Sequence, residues 1–214
     1  ALVSSARASN TFIGAKPGDT WSLLLPLTHV AAVNVFIRAF ELGTIPADLR
    51  NHDGEYPRVD FTAIVPTQLF RALNGDEHLL KHLQSAQKVL VGGAALATGI
   101  RNQAIAAGIK VVTTYGMSET SGGCVYNGEV LDGAEVEVRG GSIFIRGKIL
   151  ALDLELVDGW FESNDLGEFV DDKLVVIGRS DDVIISGGEN LSLNNVEKVL
   201  NDHFPAVQLA AFSE

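Results

Sequence analysis

The chain has 214 residues, 46% hydrophobic and 20% charged, with 22 glycines, 6 prolines and a formal net charge of −11. A chain this apolar buries a core rather than staying disordered, and its length suits one large domain or two small ones. No run of about 18 apolar residues is available to span a membrane, and the acidity argues against the basic surface that nucleic acid requires.

An apolar run from Trp21 to Leu25 reads as a strand, stopped at Pro26. Thr28 is placed to N-cap a helix from His29 to about Leu42, with Gly43 as its stop. Val30, Val33, Ile37 and Phe40 keep helical spacing and are expected to form its core face. Residues 46–60 read as a loop. Phe61 to Val65 is a strand, Pro66 opens a helix through Leu73, and a short helix runs from Asp76 to Gln84. Lys88 to Val91 is a strand running into Gly92-Gly93-Ala94. Thr98 caps a helix through Ala107, closed by Gly108. Ile109 to Thr113 is a strand leading into the loop Tyr115-Gly116-Met117-Ser118-Glu119. Strands alternating with helices predict βαβ crossovers, hence an α/β fold with a mostly parallel sheet and flanking helices.

After about Asn127 the period changes. Ala134 to Arg139 and Ser142 to Arg146 alternate as a hairpin around Gly140-Gly141. Ile149 to Val157, with the Asp158-Gly159 turn, continues the β pattern. Leu166 to Val170 and Lys173 to Ile177 form a second hairpin around Asp171-Asp172. A short strand, Val183 to Ile185, precedes the loop Ser186 to Asn190. Ser192 then caps a helix with Val196, Val199, Leu200 and Phe204 on one face. The α/β part is thus followed by a β-rich module, with a boundary near Asp181. Charge divides similarly: residues 1–128 carry 10 basic and 9 acidic side chains, residues 129–214 carry 6 and 18. Such acidity is ordinarily a solvated surface.

The single cysteine, Cys124, excludes an internal disulfide and suits a reducing, cytoplasmic setting. The first residues, Ala1-Leu2-Val3-Ser4-Ser5, carry neither a secretory pattern nor an initiator Met, so the true beginning is expected upstream.

In open α/β sheets, ligands sit beyond the carboxyl ends of strands. Gly92-Gly93-Ala94 offers bare backbone to a flat ring or a phosphate, although a tight turn explains it as well. The Tyr115 to Glu119 loop holds an aromatic plane, a hydroxyl and a carboxylate. Tyr115 suits stacking on a base, Ser118 a phosphate oxygen, and Glu119 Mg²⁺; a capped turn with an exposed acid is the alternative. A two-residue turn at Asp171-Asp172 sets Asp165 opposite Gly178, with Arg179 beside it. That pair suits ribose hydroxyls, or is a plain cross-strand ion pair. His29 sits where it could face a pocket, but a lone His is usually structural. His52, His78, His82 and His203 lack partners at metal-ligand spacing, Cys124 lacks an activating neighbour, and neither a nucleophile elbow nor a dinucleotide fingerprint is present.

Taken in order, these segments resemble a known series. Leu25-Pro26-Leu27-Thr28-His29 is similar to the fourth core motif of the adenylate-forming acyl-CoA synthetase superfamily, and Tyr115-Gly116-Met117-Ser118-Glu119 to the fifth. Trp160-Phe161 through Asn164-Asp165-Leu166-Gly167 resembles the seventh. Gly178-Arg179-Ser180-Asp181-Asp182 through Gly187-Gly188-Glu189-Asn190 resembles the eighth. The compact run from Tyr115 to Tyr126 is most similar to the o-succinylbenzoate–CoA ligases of menaquinone biosynthesis. Ser118 stands where Thr is commoner and Asn164 where Gly is usual.

The resemblance implies an acid–CoA ligase that forms an acyl-adenylate from ATP and then a thioester with coenzyme A. Under it, Gly92, Gly93, Ala94, Thr114, Tyr115, Gly116 and Met117 shape the nucleotide slot. Ser118 touches the α-phosphate, Glu119 holds Mg²⁺, and Asp165 with Arg179 binds ribose. Asp181 is the lid hinge, Gly187 and Gly188 line the coenzyme A path, and His29 lies near the acyl pocket. Residues 1–128 and 129–180 become the α/β part and β-rich subdomain of a large adenylation domain, and 181–214 the start of a small α+β C-terminal lid. The family's phosphate loop and lid lysine are not found, so the chain is expected to be a fragment, inactive alone. Its partners are small molecules, a homodimer is compatible, and an aryl- or fatty-acid CoA ligase or a non-catalytic nucleotide-binding remnant are the competing readings.

Overall fold

Short runs of β-branched and aromatic residues build the first sheet of this computed structural model, which describes residues 1–180, 183–186, 189–192, 196, 199 and 200. In chain order its first elements are α1 (Leu2–Ile13), β1 (Trp21–Leu23), α2 (Val30–Glu41), β2 (Ala47–Asp48), β3 (Phe61–Ile64), α3 (Pro66–Leu73), α4 (Glu77–Ser85), β4 (Lys88–Val91) and α5 (Thr98–Ala106). They continue with β5 (Val111–Met117), β6 (Gly122–Tyr126) and β7 (Glu129–Val130). The seven strands run in the order β2-β1-β3-β4-β5-β6-β7, parallel from β2 to β5 and antiparallel from β5 to β7.

Alternation along each strand sends side chains to two different cores. Trp21, Phe61 and Leu90 meet Ala8 and Ile13 of α1 and Ala32, Val35 and Ala39 of α2. Ile64, Val89 and Val91 meet Leu69 of α3, Leu79 and Leu83 of α4, and Ile100 of α5. Burying each such aliphatic side chain contributes about 1.5–3 kcal/mol, so both faces of the sheet are fixed.

The α1 helix, not expected from the sequence, decides which face of α2 turns inward. Val33 and Phe40, expected in the core, are exposed, at 38% and 60%; the buried face is Ala32, Asn34, Val35, Arg38 and Ala39. α2 is apolar nearly all round, and the small residues Ser5, Ala6, Ala8 and Ser9 of α1 let α2 approach by its alanine-bearing face instead. Its N-cap is His29 rather than Thr28, and that of α5 is Ala97 rather than Thr98, neither with a side-chain cap.

The segment 46–60 is not wholly loop, because Ala47 pairs with Ser22. It is anchored at buried His82. Nδ1–H donates to the Pro57 carbonyl at 3.0 Å, and Nε2 lies 2.9 Å from the Ser22 hydroxyl oxygen, which itself donates to Thr62 at 2.7 Å. Burial pushes the imidazole pKa down.

A second sheet is antiparallel, ordered β11-β10-β9-β8, from β8 (Ala134–Arg139), β9 (Ser142–Gly147), β10 (Phe161–Val170) and β11 (Lys173–Arg179). Both expected hairpin turns are present, with positive φ at Gly140, Gly141, Asp171 and Asp172, as the tight turns favoured in hairpins require. Ile149 to Val157 is not a strand: Ile149 is buried, but Asp153 has φ 61 and Leu152 is exposed, and only Val157 bridges to Trp160. Trp160 is buried between the guanidinium groups of Arg139 and Arg146, each of which pairs with a glutamate on β8. A third core of Cys124, Val125, Ile143, Ile145, Ile149 and Leu174 joins the two sheets. β12 (Val183–Ser186) and β13 (Glu189–Ser192) form a separate hairpin. Asp181, Gly187, Gly188 and Phe204 lie outside the described residues. Among those described, no helix is long and apolar enough to cross a membrane.

Candidate active site

Tyr115, Gly116 and Met117 belong to β5 rather than to a loop, because β6 returns alongside them. Thr114 pairs with Tyr126, Tyr115 with Val125 and Gly116 with Gly123. A Cβ on Gly116 would lie 2.6 Å from Cα of Gly123, and nearer still to the Gly122 carbonyl oxygen, so the strands meet only around a glycine. The connecting turn is Ser118 to Ser121.

Three residues fix that turn. The buried Thr120 hydroxyl accepts the Met117 N–H at 2.9 Å and lies 2.6 Å from the Gly122 carbonyl. Ala151 N–H donates to the Glu119 carbonyl at 2.7 Å. Asn34 of α2, fully buried, donates from Nδ2 to the Ser121 carbonyl at 2.7 Å. The Ser118 side chain is left exposed and Glu119 is left half-buried.

Asp165 arrives from β10. It stands directly opposite Arg179, not Gly178, because a bulge between Leu166 and Gly167 skips Ile177 on β11 and advances the register by one residue. The Tyr115 hydroxyl donates to Asp165 Oδ2 at 2.8 Å. Burial pushes the Tyr115 phenol pKa up, and the negative charge of Asp165 adds to this, so the phenol keeps its proton. Ser163 accepts the Asp165 N–H at 3.2 Å while donating to the Ile143 carbonyl at 2.9 Å.

Met117, Glu119, Asp165 and Arg179, with Phe161 and Glu162, line a cavity of about 340 Å³, and Asn164 completes its wall. The strand ends therefore gather a carboxylate for a cation, a carboxylate beside a guanidinium, and an apolar Met and Phe. At the end of β4, a Cβ on Gly92 would lie 2.9 Å from the Thr114 carbonyl oxygen, Gly93 has φ 83, and Ala94 is exposed. Among the described residues no three His, Cys, Asp or Glu side chains group as a metal cage. Glu119 supplies a single carboxylate, which fits Mg²⁺ held jointly by substrate phosphates and water.

A family model for AMP-binding enzymes matches residues 1–158. The chain belongs to the AMP-binding enzyme family. It is 38% identical to a probable 2-succinylbenzoate–CoA ligase of Mycobacterium tuberculosis (strain CDC 1551 / Oshkosh), over 97% of this chain and 60% of the relative. It is 29% identical to the 2-succinylbenzoate–CoA ligase of Escherichia coli (strain K12), over 97% of this chain and 49% of that protein. The fold matches an E. coli MenE variant with bound OSB-AMS at a TM-score of 0.84 and 27% identity, covering 97% of this chain and 50% of that one. It also matches Bacillus subtilis MenE in complex with ATP and magnesium ion, at a TM-score of 0.79 and 24% identity, over 96% and 51%. The chain thus spans about half to three-fifths of the length of these relatives.

Of the residues singled out from sequence, Met117, Glu119, Asp165 and Arg179 line one cavity, and Tyr115 reaches it through Asp165. Gly92, just beyond the end of β4, lies against Thr114 of β5, and Ser118 adjoins Glu119 on the turn. His29 is exposed at the N-cap of α2, with no hydrogen bond to the cavity residues among those described. Cys124 is fully buried and its thiol is pushed up to about 12 by burial, so it is unreactive. Two polar residues of α2 escaped the sequence reading. Asn34 holds the Glu119 turn. Arg38, one turn further on the same face, is 4% exposed; its Nη2 donates to Tyr126 Oη at 3.0 Å and its Nε has no hydrogen-bond partner among the described residues. Two polar side chains four residues apart in an otherwise apolar helix were the available signal.

Proposed function

We propose that the protein is an AMP-forming acid–CoA ligase acting on o-succinylbenzoate. The observation that carries this reading is the joint cavity of Glu119, Asp165 and Arg179, with Asp165 fastened by Tyr115. Asp165 accepts from ribose hydroxyls, a task that suits an ionised carboxylate with about four acceptor sites. Arg179, opposite it, is a donor-only group that closes the same end of the sugar. Met117 and Phe161 supply apolar surface to the cavity.

Glu119 holds Mg²⁺, which neutralises charge on the phosphates when ATP is bound. The fixed turn keeps Glu119 in place without reorganisation as charge shifts from the α-phosphate to pyrophosphate. The substrate carboxylate oxygen attacks the α-phosphorus and pyrophosphate leaves. The coenzyme A thiolate then attacks the acyl carbonyl, and AMP leaves.

Arg38 supports this acid over a fatty acid. None of the ion pairs among the described residues involves it. Arg38 donates to Tyr126 and stacks on Trp21 but meets no carboxylate among the described residues, and an acid that keeps a second carboxylate after activation would supply one. In this reading residues 1–128 and 129–180 form a large domain in a cytoplasmic enzyme. Residues 181–214 begin its lid, with Asp181 the hinge and Gly187 and Gly188 on the coenzyme A path. His29 lies near the acid. ATP–pyrophosphate exchange by the full-length protein across o-succinylbenzoate, benzoate and fatty acids tests the proposal. Exchange strongest with o-succinylbenzoate is expected, and exchange driven only by monocarboxylic acids would overturn it.

A further inference from the structure

We propose that the Tyr115 hydroxyl is a positioning group for nucleotide selection: by holding Oδ2 of Asp165 it aims Oδ1 at the sugar and sets the preference for ribose over deoxyribose. This rests on the ribose site proposed above and adds to it the group that makes Asp165 selective.

The geometry is specific. Tyr115 does not line the cavity; it stands behind Asp165, on β5 of the first sheet, and its hydroxyl crosses to β10 of the second at 2.8 Å. A strand carboxylate on an open sheet end rotates freely about its terminal torsion, which is broad. Tyr115 removes that freedom from one side, while Ser163 fixes the Asp165 backbone N–H. The ring itself is held, since Tyr115 packs against the core that joins the two sheets. Its phenol stays protonated, as burial requires, so the contact is always a donor to a carboxylate. With Oδ2 engaged by Tyr115 and Asp165 lining the cavity, Oδ1 is left for the sugar, where a vicinal diol offers two donors and a deoxyribose only one.

The test is Tyr115→Phe, which keeps the ring and deletes only the oxygen. ATP–pyrophosphate exchange is measured with ATP, 2′-deoxy-ATP and 3′-deoxy-ATP, for the full-length protein and, in it, Y115F, Asp165→Ala and the double variant. Y115F is expected to raise KM for ATP by about 3–10-fold, the scale of a weakened hydrogen bond, with KM for the acid unchanged. The ratio of kcat/KM for ATP to that for either deoxy analogue should fall by a similar factor. In the D165A background Y115F should add nothing. That ratio does not depend on how much enzyme is folded, so it reads even if Y115F folds poorly.

An unchanged ratio in Y115F while D165A lowers it would overturn the positioning role and leave the ribose site standing. An equal effect of Y115F with and without Asp165 would show that the hydroxyl acts through packing, which also overturns it. An unchanged ratio in D165A would remove the ribose site itself, and the proposal with it.

Discussion

Replacing Gly116 with alanine tests the geometry of the site at its tightest point. The added Cβ would sit 2.6 Å from Gly123 Cα and 2.8 Å from the Gly122 carbonyl carbon, both backbone atoms that cannot swing away. An ordinary contact is about 3.5–4.0 Å, so β5 and β6 must separate by roughly 1 Å where the Ser118 to Ser121 turn begins. Overpacking of this kind costs about 1–3 kcal/mol. The same separation displaces Glu119, and misplacing a catalytic group by about 1 Å costs on the order of 100-fold in rate. Gly99 in α5 is the control, since a Cβ there meets nothing within 4 Å, and G99A should be neutral or stabilising by up to about 1 kcal/mol. Urea denaturation and ATP–pyrophosphate exchange on both variants give the two numbers. G116A with unchanged stability and unchanged exchange would refute the strand pairing on which the site is built.

Glu119→Gln keeps the shape and removes the charge; exchange should slow about 10-fold or more, the equivalent of roughly 1.4 kcal/mol, with more Mg²⁺ needed for half-maximal rate, and an unchanged Mg²⁺ titration would refute the assignment. His82 has a depressed pKa in the folded chain, so its contribution to stability is full above the unfolded value near 6.5 and is lost as pH falls through the folded one. Urea stability should therefore fall between pH 7 and pH 5 more steeply in the protein than in His82→Gln, by up to about 1.4 kcal/mol per pH unit; parallel curves would contradict a buried neutral imidazole. Arg38→Gln should raise KM for o-succinylbenzoate while sparing KM for ATP, and the reverse split, read from steady-state kinetics, would place Arg38 elsewhere in the reaction.

What the sequence made legible was local. Gly140-Gly141 and Asp171-Asp172 announce hairpins because turn chemistry is decided by the turn residues themselves. Counting back from the second turn brought Asp165 to within one position of its partner; the remaining residue is the bulge at Ile177, which no local pattern marks. The motif order also led to Glu119, Asp165 and Arg179, which do share a cavity. Choices made by tertiary packing were not legible. Val30 to Phe40 offers more than one apolar stripe, and α1 selects the one bearing Ala32, Val35 and Ala39. Gly116 read as a loop residue because glycine is rare inside strands, yet it is there to let β6 close in. Ile149 to Val157 alternated like a strand, but no neighbour takes up its backbone beyond one bridge.

Asp165 and Arg179 are proposed to form a nucleotide site rather than a structural pair. Titrating ATP into the Asp165→Ala protein, with melting temperature recorded on the same samples, separates the two. Affinity should fall by about 1–3 kcal/mol, the scale of lost hydrogen bonds to a charged group; melting should fall too, because Asp165→Ala leaves the Tyr115 hydroxyl without its acceptor, so the affinity is the deciding number. Intact ATP affinity with a lowered melting temperature would contradict the account.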